Sequence, residues 1–220
     1  MTILAMMPFH ALLSTWLGTA LGHLDLARIW KELLLVPLVI STLFIALKDP
    51  KLKKWLVNSP VVGLILVYLL LHFILGAWAL KNRSVSSSAL LYALIINVRF
   101  LMVYFVCFVV EAKTGLLSRH WQKIILWPAV AVIAFGLLQQ FVLPADFLSH
   151  FGYSDKTIPP YQTVDQKPEY LRSQSTLRGP NPLGAYLLVI IPLFFAWLVS
   201  KNKQAKAALV VTAGWVVMFY

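Results

Sequence analysis

The sequence predicts an all-α, polytopic membrane protein, and its composition and the spacing of its apolar stretches carry this prediction. Hydrophobic residues occupy 60% of the 220 positions and charged residues only 12%, whereas soluble domains average about 45–50% and about 25%. One soluble core of this size cannot enclose so many apolar side chains. The composition therefore excludes a soluble enzyme, a disordered tail, a disulfide scaffold and a nucleic-acid reader.

Apolar segments recur along the chain near the length of about 20 residues that a helix needs to cross a bilayer. They cover residues 3–21, 29–47, 60–80, 89–110, 124–143, 182–200 and 207–220. The last would reach only about 21 Å at 1.5 Å per residue, so we expect six complete spans and a truncated seventh. We expect residues 1–220 to form a single membrane domain, the N-terminal part of a longer protein.

The basic residues of the short loops predict the orientation of the chain. Lys and Arg collect in three alternate stretches, at residues 48–60, 111–123 and 201–206. Because cytoplasmic loops carry an excess of Lys and Arg, these stretches and the N-terminus should be cytoplasmic. The long connection over residues 144–181 is then extracytoplasmic. The net charge of +11 fits membrane lipids as partners, with no nucleic acid.

One stretch, from Tyr170 to Leu198, carries residues suited to an anion. Arg172 and Arg178 precede Pro180-Asn181-Pro182, which predicts a helix beginning at Pro182 with Asn181 as its N-cap. A helix start beside two guanidinium groups favours a phosphate site. Alternatively, both arginines are solvated loop charges and the Pro-rich turn is only a helix entry. No metal-ligand spacing or nucleotide motif occurs, so we expect neither metal nor cofactor.

The same stretch resembles the signature of the O-antigen ligase and polymerase family, which are integral membrane glycosyltransferases of bacterial surface polysaccharides. Members carry an Arg, then a short run ending in Pro-Asn, then small and aromatic residues that open a helix. The residues in register are Arg172, Thr176, Pro180, Asn181, Gly184 and Tyr186. Ser175 stands where the family often has Gly, and Gly179 stands where it often has His or Asn.

The resemblance implies glycan transfer from an undecaprenyl-diphosphate carrier at the outer face of the bacterial cytoplasmic membrane, without a metal. It implies that Arg172 holds the donor diphosphate, with Arg178 as a weaker second contact. The acceptor, a lipid, glycan or protein, and the choice between ligase and polymerase stay open. The family's basic His lies in a later loop, so we assign no general base. The alternatives are a transporter or flippase for a lipid-linked or small anionic substrate and a non-catalytic membrane subunit.

Arg99 is the other singular residue, because it lies within an apolar span beside Asn97. An arginine at membrane depth is costly and should face the protein interior or a cavity rather than lipid. One interpretation makes it a further contact for the carrier diphosphate. The other makes it a structural partner of a carbonyl or carboxylate group.

Overall fold

The computed structural model describes residues 1–165, 167, 170–201 and 211. Within these residues six helices are long and apolar enough to cross a membrane, which confirms the predicted helical, multi-pass fold. We number them as spans 1 to 6, and they cover Thr2–Ala20, Trp30–Lys48, Pro60–Lys81, Ser87–Thr114, Leu116–Phe141 and Pro180–Ser200. The predicted seventh segment, 207–220, lies outside the described residues apart from position 211.

The first four spans are joined by short connections. Their elements are α1 (Thr2–Met6), a 3₁₀ turn (Met7–Phe9), α2 (His10–Ala20), α3 (Leu24–Arg28), α4 (Trp30–Lys48), α5 (Pro50–Asn58), α6 (Pro60–Lys81) and α7 (Ser87–Thr114). Asp49 caps α5 by accepting hydrogen bonds from the backbone N–H groups of Lys51 and Leu52. Pro50 then occupies the first helical position, where the missing N–H costs nothing. Gly115 ends α7 with a φ of 58°, a left-handed conformation that glycine adopts without strain.

Span 5 and span 6 flank the long connection. Their elements are α8 (Leu116–Trp121), a π-helical turn (Gln122–Leu126), α9 (Trp127–Phe141), a second 3₁₀ turn (Phe147–Phe151), β1 (Gln162–Thr163), β2 (Leu171–Arg172) and α10 (Pro180–Ser200). The two short strands pair in antiparallel fashion, with Gln162 opposite Arg172. The long connection, predicted over residues 144–181, therefore contains some regular structure of its own.

The chain forms two compact units, unit 1 (residues 1–31 and 120–220) and unit 2 (residues 32–119). In unit 1, two buried clusters join α9 to α10. Ala129 shares one cluster with Leu198, and Val132 shares the other with Leu183. The positions advance along α9 as they recede along α10, so these helices run antiparallel. The single membrane domain over residues 1–220 stays a prediction.

Span 1 runs parallel to span 5 within unit 1. Its first helix, α1, packs against the π-helical turn Gln122–Leu126, in the first half of span 5. Further along, Ala11 and Leu12 pack in one cluster with Phe135 of α9. Both spans therefore start at the same end of the unit. This agrees with a chain that crosses the membrane back and forth, because its first and fifth spans then run in the same direction.

In unit 2 the directions of α4 and α7 also agree with a chain that crosses the membrane back and forth. Glu32, near the start of α4, contacts Arg99, and Ala46, near its end, shares a buried cluster with Val109. Thus α4 and α7 run parallel. Lys113 pairs with Asp49 at one end of the unit, so the basic residues of the 48–60 and 111–119 stretches lie at that same end.

Candidate functional site

The segment Ser173–Thr176 leads from β2 toward α10 and is buried, although all four side chains are polar. Gln174 and Ser175 have no exposed surface. Buried polar groups must find hydrogen-bond partners, because water is not available to them. The side-chain Nε2 of Gln174 meets this requirement, because it donates to the carbonyl oxygens of Pro159 at 3.0 Å and Pro160 at 2.9 Å. The Oε1 of the same side chain is buried and has no hydrogen-bond partner among the described residues.

Gln139 of α9 is the principal partner of this segment. Its Oε1 accepts hydrogen bonds from the backbone N–H of Ser175 at 2.8 Å and of Gln174 at 3.3 Å, and from the Ser173 hydroxyl at 3.1 Å. A side-chain carbonyl thus replaces the strand or helix partner that an irregular backbone lacks. The segment is thereby fixed against span 5.

Two further hydroxyl groups attach the segment to helix backbones. The Ser175 Oγ donates to the carbonyl oxygen of Val132 at 2.6 Å, and the Thr176 Oγ1 donates to that of Pro8 in span 1 at 2.9 Å. Ser175 also has a φ of 51°, in the left-handed region that non-glycine residues rarely adopt. Its two hydrogen bonds hold it in that conformation.

Arg172 and Asn181 meet at the end of this buried segment. The Arg172 Nη2 donates to the Asn181 Oδ1 at 2.9 Å, across a separation of nine residues. Arg172 is half-buried and lies in β2, while Asn181 is exposed in the first turn of α10. The asparagine side chain orients the guanidinium group beside the start of the helix, and among the described residues Arg172 has no other side-chain partner.

Two sequence expectations about the start of α10 are wrong. The helix begins at Pro180 rather than Pro182, and extended Gly179 takes the N-cap position that we expected for Asn181. The first turn of a helix needs no intrahelical N–H donors, so it accommodates both prolines. A side chain at Gly179 would also crowd the Gln162 amide, since an added Cβ would lie 3.2 Å from its Nε2.

The other residues of the motif have different surroundings. Arg178 is exposed, and Pro180 is buried at the start of α10. Gly184 faces open space, where an added Cβ would meet nothing within 4 Å. Tyr186 packs against both apolar clusters that join α9 to α10. The motif therefore combines one oriented arginine with residues that build the helix entry and its packing.

Arg99 lies in unit 2 and forms an ion pair there. Its Nη1 donates to the Glu32 Oε1 at 2.7 Å, and both side chains are mostly shielded from solvent. The guanidinium group also lies over the ring of Phe100, 5.4 Å from its centroid. Of the two interpretations of Arg99, a carboxylate partner is the contact that the structure contains, and the diphosphate contact stays a prediction.

Sequence reasoning missed Gln139, Gln174 and the polar cluster around His10. The indole N–H of Trp30 donates to the His10 Nδ1 at 3.0 Å, and the Lys31 Nζ lies 2.5 Å from the His10 Nε2. A glutamine within an apolar span was the available signal, because a polar group at that depth must find a partner inside the protein.

Comparison with protein-family models gives no match. Comparison with curated proteins and with solved structures gives none either. Within the described residues, no three His, Cys, Asp or Glu side chains lie close enough together to hold a metal ion.

Proposed function

We propose that this chain is a membrane-embedded glycan transferase, or part of one, of the kind to which the motif is similar, the O-antigen ligases and polymerases. It would take glycan from an undecaprenyl-diphosphate carrier and pass it to a lipid, glycan or protein acceptor. The observation that carries the proposal is the orientation of Arg172 by Asn181 at the first turn of α10. This places a guanidinium group beside the positive end of a 21-residue helix.

The chemistry of the reaction suits this arrangement. The acceptor hydroxyl attacks the anomeric carbon of the glycan, and the bond from that carbon to the diphosphate oxygen breaks. The hydroxyl proton leaves with a base, and the electron pair of the broken bond stays on the lipid diphosphate. Negative charge therefore grows on phosphate oxygens. Oriented arginine N–H donors and a helix start stabilise that charge without reorganising.

The backbone at Ser175 supports the resemblance independently of the residue types. The family often has glycine at this position, and Ser175 has a φ of 51°. That left-handed conformation is one for which glycine is preferred. The serine compensates with hydrogen bonds to Val132 and Gln139.

We also propose that the chain lies in a bacterial cytoplasmic membrane, with a cytoplasmic N-terminus and the 144–181 connection outside. The parallel directions of spans 1 and 5 support this orientation, as does the gathering of two basic stretches at one end of unit 2. Single cysteines at positions 155 and 54, in a Cys107→Ala background, test it. Impermeant maleimide should label position 155 in intact cells and position 54 only after permeabilisation. The reverse pattern would overturn the orientation.

Substitution of Arg172 tests the transferase proposal. Arg172→Lys should lose nearly as much transfer as Arg172→Ala, because an ammonium group keeps the charge but loses the planar pair of donors. A charge-assisted hydrogen bond contributes about 1.5–3 kcal/mol, so we expect a loss of roughly one to two decades in rate. Exposed Arg178→Ala should cost less, and Lys156→Ala, in the same connection, is the matched control.

The assay uses the complete gene product in membranes, with lipid-linked donor, equal protein levels and transfer read on a gel. Wild-type transfer by the Arg172→Ala protein would contradict a role of Arg172 in binding the donor diphosphate. It would favour the alternative that Arg172 is a solvated loop charge.

A transporter or flippase for a lipid-linked or small anionic substrate is the second candidate. The observation that favours it is the irregular backbone of Ser173–Thr176, which is hydrogen-bonded to the backbones of spans 1 and 5. Irregular backbone among membrane spans is typical of transporter binding sites. Purified protein in vesicles distinguishes the two, because a flippase moves labelled lipid-linked substrate across the bilayer without an acceptor, whereas a transferase consumes it only when an acceptor is present.

A further inference from the structure

Helix α5 lies at one end of unit 2 and has an apolar face and a basic face. Leu52 is buried in a cluster with Ala46 and Val109, and Leu56 packs against the same cluster. The charged residues of the helix are exposed, and they are Lys51, Lys53 and Lys54. A helix that combines this pattern with an exposed tryptophan, here Trp55, is typical of one that lies in a membrane interface.

An open cavity of about 740 Å³ lies beside the start of α5 and the ends of α4 and α7. Lysines at positions 48, 51 and 113 line it, together with Asp49, Phe44 and Ile45. A second cavity of about 600 Å³ shares Lys51 and Lys113 and extends along Trp55. The Trp55 ring stacks on Phe108, with the ring centroids 3.7 Å apart, and gives this second cavity a rigid aromatic wall.

The first cavity carries excess positive charge. Three lysines and one aspartate line it, so the net charge is 3 − 1 = +2. The Asp49 carboxylate is already occupied, because it caps α5 and pairs with Lys113. The Lys48 ammonium lies 4.1 Å from the centroid of the Phe44 ring. In the part of the chain that the structure describes, Lys51 has no ion pair, so its charge is available to an anion.

We propose that this cavity binds the phosphate of an anionic phospholipid. Lys48 and Lys51 would contact the headgroup, while the acyl chains follow span 2 past Phe44 and Ile45. Both of these side chains are exposed, at 59% and 43%, on the surface of an apolar span, where lipid tails would cover them. A soluble acidic partner would leave this apolar wall uncovered. A zwitterionic headgroup brings its own cation and gains less from the lysines.

Lipid retention by the purified full-length chain tests the site. Native mass spectrometry from detergent micelles would compare phosphatidylglycerol with phosphatidylcholine as the lipids added. Each neutralised lysine near a membrane surface should weaken binding about fivefold, so Lys48→Gln with Lys51→Gln should lower phosphatidylglycerol affinity roughly 25-fold. Lys113 is left in place because it pairs with Asp49. The matched control is Lys81→Gln with Arg83→Gln, which removes two positive charges from the end of α6 remote from α5.

The proposal requires that phosphatidylglycerol bind more tightly than phosphatidylcholine, that only the Lys48/Lys51 variant lose this preference, and that salt weaken it. Equal binding of the two lipids would reduce the cavity to a general contact with lipid and would overturn the proposal. So would an equal effect of the control variant. A dimer that forms without lipid preference and dissociates in the Lys48/Lys51 variant would assign this face to a second copy of the chain instead.

Discussion

Replacing Gln139 with leucine removes the acceptor that holds the Ser173–Thr176 segment against span 5. The side chain is similar in size, so the change tests hydrogen bonding rather than volume. Its Oε1 accepts from the Ser175 N–H at 2.8 Å, from the Ser173 hydroxyl at 3.1 Å and from the Gln174 N–H at 3.3 Å. We expect the variant to insert normally and to release the segment locally.

The expected magnitude follows from these three donors. A buried donor left without an acceptor costs about 1–3 kcal/mol. The Ser175 N–H loses its partner outright, whereas the Ser173 hydroxyl keeps a weaker contact with the Gly136 carbonyl at 3.4 Å. The bond from Gln174 is the longest of the three and contributes least. The sum is about 2–4 kcal/mol, which raises the population of the open segment roughly 30-fold to 700-fold.

Hydrogen exchange followed by mass spectrometry measures this population directly, because the amides of Gln174 and Ser175, which both donate to Gln139, exchange only when the segment opens. The matched control is Gln140→Leu, the same change at the next position of α9. No side-chain hydrogen bond is described for Gln140 within the residues that the structure covers. Exchange in this segment that is equal for the Gln139→Leu and Gln140→Leu proteins would refute the reasoning.

Three further changes test separate contacts. Gly152→Ala should destabilise the protein by about 2–4 kcal/mol, because Gly152 has a φ of 79° and an added methyl would overlap Thr19; thermal unfolding should show a partial recovery with Thr19→Ala. Burial raises the pKa of the Tyr153 phenol. The free energy of unfolding should therefore fall as pH rises above about 10, where only the unfolded chain releases this proton, and Tyr153→Phe should lose that slope in titrated unfolding. Arg99→Glu should destabilise the protein, and Glu32→Arg in the same chain should restore a coupling of about 1–3 kcal/mol in a double-mutant cycle; strictly additive effects would contradict the ion pair.

The six spans could be predicted because a bilayer imposes a length on every helix that crosses it. The segment expected over residues 60–80 is the helix Pro60–Lys81, and its ends agree within one residue. Span 5 begins at Leu116, earlier than the expected residue 124. The polar residues Ser118, Arg119 and His120 continue the helix on the N-terminal side of its apolar part. Hydropathy locates the apolar core of a span and not the helical turns outside it.

The candidate site was predictable only in part. Arg172 and Asn181 were singled out from one short motif, and they do hydrogen-bond to each other. Gln139 was not, because its partners lie 34 to 36 residues further along the chain. The carboxylate partner of Arg99 lies 67 residues away. Such pairs depend on which helices become neighbours, and a single sequence gives no measure of that.

The hydrogen bond from Thr176 to Pro8 joins residues 168 positions apart. At synthesis rates of about 5–20 residues per second, the ribosome needs roughly 8–34 seconds to deliver Thr176 after Pro8 has emerged. Throughout that interval the first span waits in the membrane without this partner, while the whole of residues 32–119 is made and inserted. Assembly of unit 1 is therefore a late event in biogenesis. During this interval a chaperone or insertase has time to bind the first span and to release it when spans 5 and 6 arrive.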